Sequence, residues 1–126
     1  ALGCTPSELI DIEAEFNSIP LIKNIYTKLL KEINAGKRIH NQARWGSECD
    51  PKENLCNTPM CTAGHLVNMA GEIGYKLKNE YGWSIAARLI HLRNHPDYPV
   101  QNYGGIPQKF AMAYIEEMAA KEQEEK

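Results

Sequence analysis

Residues 61–80 read CTAGHLVNMAGEIGYKLKNE and carry the clearest helical pattern in the chain. Apolar residues recur there at intervals of three and four, the spacing of one helix face: Leu66, Met69, Ile73 and Leu77. The stretch also contains three glycines: Gly64, Gly71 and Gly74. Because each glycine costs up to about 1 kcal/mol in a helix, we expect close packing of a neighbouring helix at these positions. The stretch therefore predicts one helix from about Cys61 to Glu80.

The same periodicity predicts two helices before this stretch. Residues 5–8 (TPSE) have the form of a capping box at the start of a helix that breaks at residues 18–20 (SIP). A second helix is predicted from about Leu21 to Ala35, with Gly36 as its C-terminal stop.

Two more helices are predicted after it. Ser84 can cap a helix with Ile85, Leu89 and Leu92 that ends before Pro96. The last helix carries Phe110, Tyr114, Ile115 and Met118. From about residue 120 its polar tail should fray, because its glutamates oppose the helix dipole. Residues 1–126 are therefore predicted to form a single all-α domain, an irregular bundle of about five helices with two long ordered loops, 37–60 and 94–107.

Composition narrows the class of protein. The chain has 126 residues, 43% of them hydrophobic, and a net charge of −2, which argues against wholesale nucleic-acid or membrane binding. No apolar run approaches the roughly 20 residues of a membrane span. A basic segment at 23–44 is typical of a solvated helix face, with phosphate binding as the alternative. We expect a cytoplasmic protein, with export as the alternative because the sequence starts at Ala1.

Four residues that could bind a metal or react as thiols cluster within residues 49–65: Cys49, Cys56, Cys61 and His65, spaced C-x6-C-x4-C-x3-H. Cys61 and His65 are four residues apart, so on a helix they lie one turn apart on the same face. Three thiolates and one imidazole are a known ligand set for structural zinc. The spacing also resembles the three-cysteine, one-histidine zinc fingers that bind single-stranded RNA. Those fingers stack bases on aromatic residues, and none occurs between Cys49 and His65.

A second resemblance covers residues 56–65, CNTPMCTAGH. This segment resembles the C-G-T-x-x-C-x-A-G-[WH] segment of small helical proteins from bacteria and phages, with Asn57 in place of the common Gly and His65 in place of the common Trp. The resemblance implies no activity. It favours Cys56 and Cys61 as a structural pair, packed or disulfide-bonded, with His65 at the edge of the core.

Three hypotheses therefore stay open for the cluster. The structural pair is favoured, and no cofactor is then required. A zinc site formed by all four residues is the alternative. The third is a cysteine-dependent enzyme, in which Cys61 at a helix start is the nucleophile and His65 is its base. The third is the least favoured because substrate room and an orienting group are lacking.

The remaining candidates point to binding. His91 and His95 are four residues apart, but Pro96 places His95 past the helix end, which favours surface or capping roles over a metal site. The two long loops contain residue types that interfaces favour: Arg44, Trp45, Tyr98 and Tyr103. Pinning of a loop to the bundle is the alternative role for the tyrosines. We predict a non-catalytic accessory or interaction module with a protein partner, and the sequence leaves its oligomeric state open.

Overall fold

The computed structural model describes residues 14–41, 60–100 and 107–124. Residues 14–18 are helical and are called α1, and five helices follow: α2 (Ile25–Asn34), α3 (Thr62–Met69), α4 (Gly71–Tyr81), α5 (Trp83–Asn94) and α6 (Gln108–Glu124). In these ranges the only β-type pairing is one isolated parallel bridge between His40 and Met60. The all-α bundle predicted from the sequence is confirmed.

The helices pack as two groups that meet at a common core. α2 packs on α6, while α3, α4 and α5 pack on one another. Tyr26 of α2 is fully buried and its hydroxyl reaches His91 of α5 at 2.6 Å, so it joins the two groups. α3 is the most enclosed element, because every residue from Met60 to Asn68 is buried. The middle of the chain therefore forms the centre of the bundle.

The predicted helix over residues 61–80 is in fact two helices. α3 ends at Met69 and α4 begins at Gly71, whose φ of +69° lies in the left-handed region. A side chain is strained in that region and glycine is not, so Gly71 allows the chain to change direction. An added Cβ at Gly71 would meet nothing within 4 Å. Its role is therefore conformational, and helix packing does not explain it.

Gly74 does fit the packing explanation. A Cβ built on Gly74 would lie 2.2 Å from the carbonyl oxygen of Val67, which is a backbone atom of α3. The missing side chain lets α4 fold back against α3 within a few residues of the break.

We expect Gly74→Ala to destabilise the protein by about 1–3 kcal/mol, because α4 would have to move away from the Val67 carbonyl. The check is the free energy of unfolding from urea denaturation. Asn79→Ala on the exposed side of α4 is the matched control and should change it by less than about 0.5 kcal/mol. Equal effects of the two substitutions would contradict the packing role of Gly74.

The ends of the N-terminal helices agree with the sequence in part. α1 ends at Ser18, and α2 is closed by Gly36 at φ +77° in a Schellman pattern, with Lys37 N–H donating to the Glu32 carbonyl at 2.9 Å. The start of α2 differs, because Ile25 and not Leu21 is its first residue. The preceding residues are held by α5 instead, where the Asn94 side chain accepts from the Ile22 N–H at 2.6 Å.

The C-terminal helices differ from the predictions in the faces that they bury. α5 begins at Trp83 and ends at Asn94, before Pro96 as expected. Its buried residues are Ala86, Ala87, Ile90 and His91. Ile85 is 48% exposed, and on α6 Phe110 is 58% exposed. α6 continues to Glu124 and buries Glu122, so the polar end of the chain is packed at least that far. Residues 42–59 of the first predicted loop and 101–106 of the second lie outside the described residues.

Candidate functional site

The N-terminal end of α3 meets the chain that follows α2. The Met60 N–H donates to the Ile39 carbonyl at 3.0 Å, and the Asn41 N–H donates to the Met60 carbonyl at 2.8 Å. These two bonds form the parallel bridge and place His40 beside the residues that lead into α3. The bridge therefore places Asn41 and Met60, the residues on either side of the interval 42–59, next to each other.

His40 and His65 stack against each other at this junction. Their ring centroids are 5.5 Å apart and their planes differ by 21°. His65 is 1% exposed and projects from the buried helix α3, while His40 is partly buried. None of the four ring nitrogens has a hydrogen-bond partner within the described ranges, and all four are buried. We call this feature the His40–His65 pair.

Burial without hydrogen bonds is energetically costly for these rings. A neutral imidazole has one N–H donor and one acceptor nitrogen, so the pair leaves two donors and two acceptors without partners. Each unsatisfied buried group costs about 1–3 kcal/mol, and native proteins keep few of them. A cluster of four such atoms in one place calls for a physical explanation.

The surroundings keep both rings neutral. Burial lowers the pKa of His40 to about 4. Burial also holds the pKa of His65 well below its usual value, and the positive charge of Arg38 adds to this effect. The nearby backbone groups of Met60 and Ile39 act in the opposite direction, although no contact to the ring nitrogens has the geometry of a full hydrogen bond. At neutral pH the pair therefore offers unprotonated nitrogens.

Arg38 forms a buried polar group next to the pair. It is 4% exposed, and its Nε donates to Glu32 at 2.8 Å while its Nη1 donates to the Asn68 side-chain oxygen at 3.0 Å. Asn68 in turn donates to the Tyr75 hydroxyl at 3.2 Å. This chain of bonds fixes residues 38–40 against α3, so the position of His40 is determined from both sides.

Cys61 caps the start of α3 and carries a free thiol that is 2% exposed. Burial raises its pKa, more than the nearby backbone N–H groups of α3 lower it. A thiol nucleophile needs a lowered pKa and access to substrate, so these properties do not favour the cysteine-enzyme hypothesis. Among the described residues no three His, Cys, Asp or Glu side chains lie close enough to hold a metal ion.

The other predicted site residues divide into two groups. Cys49 and Cys56 of the zinc hypothesis, and Arg44, Trp45 and Tyr103 of the interaction surface, lie outside the described residues. Tyr98 is described and is only 7% exposed, with its ring stacked on His95 at 4.0 Å. Its position corresponds to the alternative role, a tyrosine that pins the loop to the bundle, and little of it is available to a partner.

His91 has the partners that the His40–His65 pair lacks. It is fully buried, its Nε2 donates to the Tyr98 carbonyl at 3.0 Å, and its Nδ1 accepts from the Tyr26 hydroxyl at 2.6 Å. His95 is the C-cap of α5, past the helix end as Pro96 predicted. It donates from Nε2 to Glu122 at 2.5 Å. His91 is thus a structural core histidine, not the surface or capping residue that the sequence favoured.

We expect His91 to make the fold sensitive to acid. Burial lowers the pKa of His91 from 6.5. Below about pH 6.5 the unfolded chain therefore binds a proton that the folded chain does not. The free energy of unfolding then decreases as the pH is lowered. This histidine contributes up to about 1.4 kcal/mol per pH unit. His91→Gln, which keeps one donor and one acceptor, should flatten the pH dependence of the free energy of unfolding below pH 6.5. Parallel curves for the two proteins would contradict this assignment.

Glu122 occupies the place at the N-terminus of α2 where a phosphate would bind. Its carboxylate accepts from the Tyr26 N–H at 3.0 Å and from the Thr27 N–H at 2.7 Å, the two groups at the N-terminus of α2 that a phosphate would use. Lys28 and Lys31 on α2, and Lys23 just before it, remain as exposed charges. The solvated-face interpretation therefore fits this helix better than phosphate binding.

His40 is the residue that sequence reasoning missed. Nothing in its local sequence marks it, because it lies 25 residues before His65 in a segment without periodicity. The one available signal was a histidine at the edge of a long segment that contains Cys49 and Cys56. Only the bridge to Met60 brings it to α3.

The comparisons with known proteins add no family. In the described ranges no helix has the length and apolarity of a membrane span. No protein-family model, curated protein or solved structure matches this chain.

Proposed function

We propose that the protein is a non-catalytic protein-interaction module. Its contact face would lie at the end of the bundle where residues 39–41, Met60 and the start of α6 meet. The observation that carries this proposal is a pair of exposed apolar side chains there, Ile39 at 44% and Phe110 at 58% exposure.

Ile39 and Phe110 lie close in sequence to the two partners of a hydrogen bond that joins their segments. The Gln108 side chain donates to the His40 carbonyl at 3.1 Å, and Ile39 and Phe110 are one and two residues away from these partners. Single exposed apolar residues are ordinary, but two large ones beside one inter-segment contact are typical of a binding surface. Both predicted loops reach this end of the bundle. Loop 37–60 does so at the His40–Met60 bridge, and loop 94–107 does so at Pro107, which precedes α6.

Charge indicates the chemistry of the partner. Lys37 and Lys109 are exposed beside Ile39 and Phe110, and the Lys109 ammonium lies 5.1 Å from the Phe110 ring centroid. Arg44 follows a few residues after the bridge in the sequence. An apolar centre with a basic rim complements a protein surface that has an apolar contact edged by carboxylates.

We expect Phe110→Ser and Ile39→Ser to weaken binding of the partner at least about tenfold, because truncated anchors lose buried apolar contact. A tagged chain would first capture the partner from a lysate of its host, and the purified partner would then be titrated by calorimetry. Trp45→Ala and Tyr103→Ala belong to the same series.

Leu21→Ser and Ile85→Ser are the matched controls, since they change equally exposed apolar residues, at 66% and 48%, on other parts of the bundle. Both should bind like the unmodified chain. The proposal fails if the face variants bind normally, or if the control variants lose as much affinity as the face variants. Affinity should also fall as salt is raised, because the rim is charged.

A second candidate function is a zinc-stabilised binding module that uses Cys49, Cys56, Cys61 and His65. Its support is the buried His65 ring, whose two nitrogens lack partners within the described ranges. Cys61 is four residues before it at the start of α3. In this form of the proposal the metal fixes the segment that presents the contact face.

A further inference from the structure

We propose that His40 and His65 together bind one zinc ion. This inference rests on the zinc-stabilised form of the proposed function and changes its ligand set, because His40 enters it. Three features of the described residues support the proposal.

The first feature is the relative position of the His40 and His65 rings. The two rings stack 5.5 Å apart with an angle of 21° between their planes, and they come from two segments that the His40–Met60 bridge ties together. Arg38, two residues before His40, is anchored to α3 through Asn68. Two histidines on well-fixed backbone, separated by 25 residues in sequence, supply two of the four ligands of a structural zinc site.

The second feature is the lack of hydrogen-bond partners at the ring nitrogens of His40 and His65. All four are buried without a hydrogen-bond partner in the described part of the chain, although the comparable His91 ring has both partners. A structural histidine is normally satisfied as His91 is, whereas a ligand histidine keeps one nitrogen free for the metal. The contrast between the two sites within one core indicates that His40 and His65 are built for a different purpose.

The third feature is the type of ligand atom, which determines the metal that the pair would bind. Imidazole nitrogen favours zinc over the oxygen-seeking cations. Cys61 adjoins the bridge residue Met60 and lies one helical turn from His65. No set of three candidate ligands is close enough within the described residues. The other thiols of this interval, Cys49 and Cys56, lie outside those residues, and the proposal itself concerns the two histidines.

Ring nitrogen chemical shifts test the proposal without any substitution. One equivalent of Zn²⁺ is added to the reduced, chelator-treated full chain, and long-range ¹H–¹⁵N correlation spectra of the histidine rings are recorded. We expect one nitrogen of His40 and one of His65 to shift together at a one-to-one ratio. The rings of His91 and His95 should not change. If the His40 ring does not respond while zinc binds, the proposal is overturned.

Affinity measurements separate this inference from the functions on which it rests. His40→Gln should weaken Zn²⁺ binding at least about 100-fold in a competition with a chromophoric chelator, since loss of groups that merely support ligands already costs about 10–100-fold. His95→Gln is the control and should bind zinc normally. Tight binding by His40→Gln would reject His40 but keep the zinc-stabilised module. Absence of zinc binding in the unmodified chain would reject both, and the interaction module would stand.

Discussion

Glu122→Ala is expected to lower the free energy of unfolding by about 3–5 kcal/mol. The Glu122 carboxylate is 3% exposed and accepts from the Tyr26 and Thr27 N–H groups and from the Thr27 hydroxyl. It also accepts from His95. The N-cap residue Asn24 makes no side-chain capping bond, and among the described residues it is Glu122 whose side chain caps α2. Its truncation would bury two N–H groups without an acceptor and uncouple α2 from α6.

Two variants make this prediction specific. Glu122→Gln keeps an acceptor oxygen and should lose clearly less stability than the alanine variant in the same urea denaturation. Gln123→Ala removes an exposed hydrogen bond to the Thr27 hydroxyl and should cost less than about 0.5 kcal/mol. If Glu122→Ala unfolds at the same urea concentration as Gln123→Ala, the cap does not hold α2.

Zinc removal is the second large effect that we expect. If His40 and His65 hold the ion, a ligand that binds only the folded chain stabilises it by about 4 kcal/mol when its free concentration is 1,000 times Kd. Treatment with a chelator should therefore lower the thermal midpoint and the free energy of unfolding. The loss should appear first as faster amide hydrogen exchange at Asn41 and Met60, which form the bridge.

The matched control for this prediction is His65→Gln. It should be less stable than the unmodified chain in the presence of zinc and should not respond further to the chelator. An unmodified chain whose stability is the same with zinc and with chelator would contradict a structural role for the metal.

Local sequence determines the helices but not all of their ends. Periodicity located the helices, and Gly36 and Pro96 marked two ends, because these signals lie within the elements themselves. The division of residues 61–80 was missed, since a glycine inside a periodic run has the same pattern whether it packs, as Gly74 does, or turns the chain, as Gly71 does. The sign of φ depends on where the neighbouring helices lie.

Long-range polar contacts explain most of what the sequence did not predict. Glu122 was expected to destabilise a helix end, but it binds the start of another helix 95 residues away in sequence. The only signal for His40 was its position at the edge of a long segment that contains Cys49 and Cys56. The cysteine and histidine spacing did direct attention to His65, because a ligand pair one turn apart is a local feature. Its partner across the bridge is visible only in three dimensions.

Native mass spectrometry of the full chain, after equilibration with Zn²⁺ and removal of excess metal, counts the zinc ions bound to each folded chain. We expect one zinc ion bound per folded chain, and its loss in both His40→Gln and His65→Gln but not in His95→Gln. A metal-free mass for the folded, reduced chain under the same conditions would contradict the claim that the His40–His65 pair is a metal site.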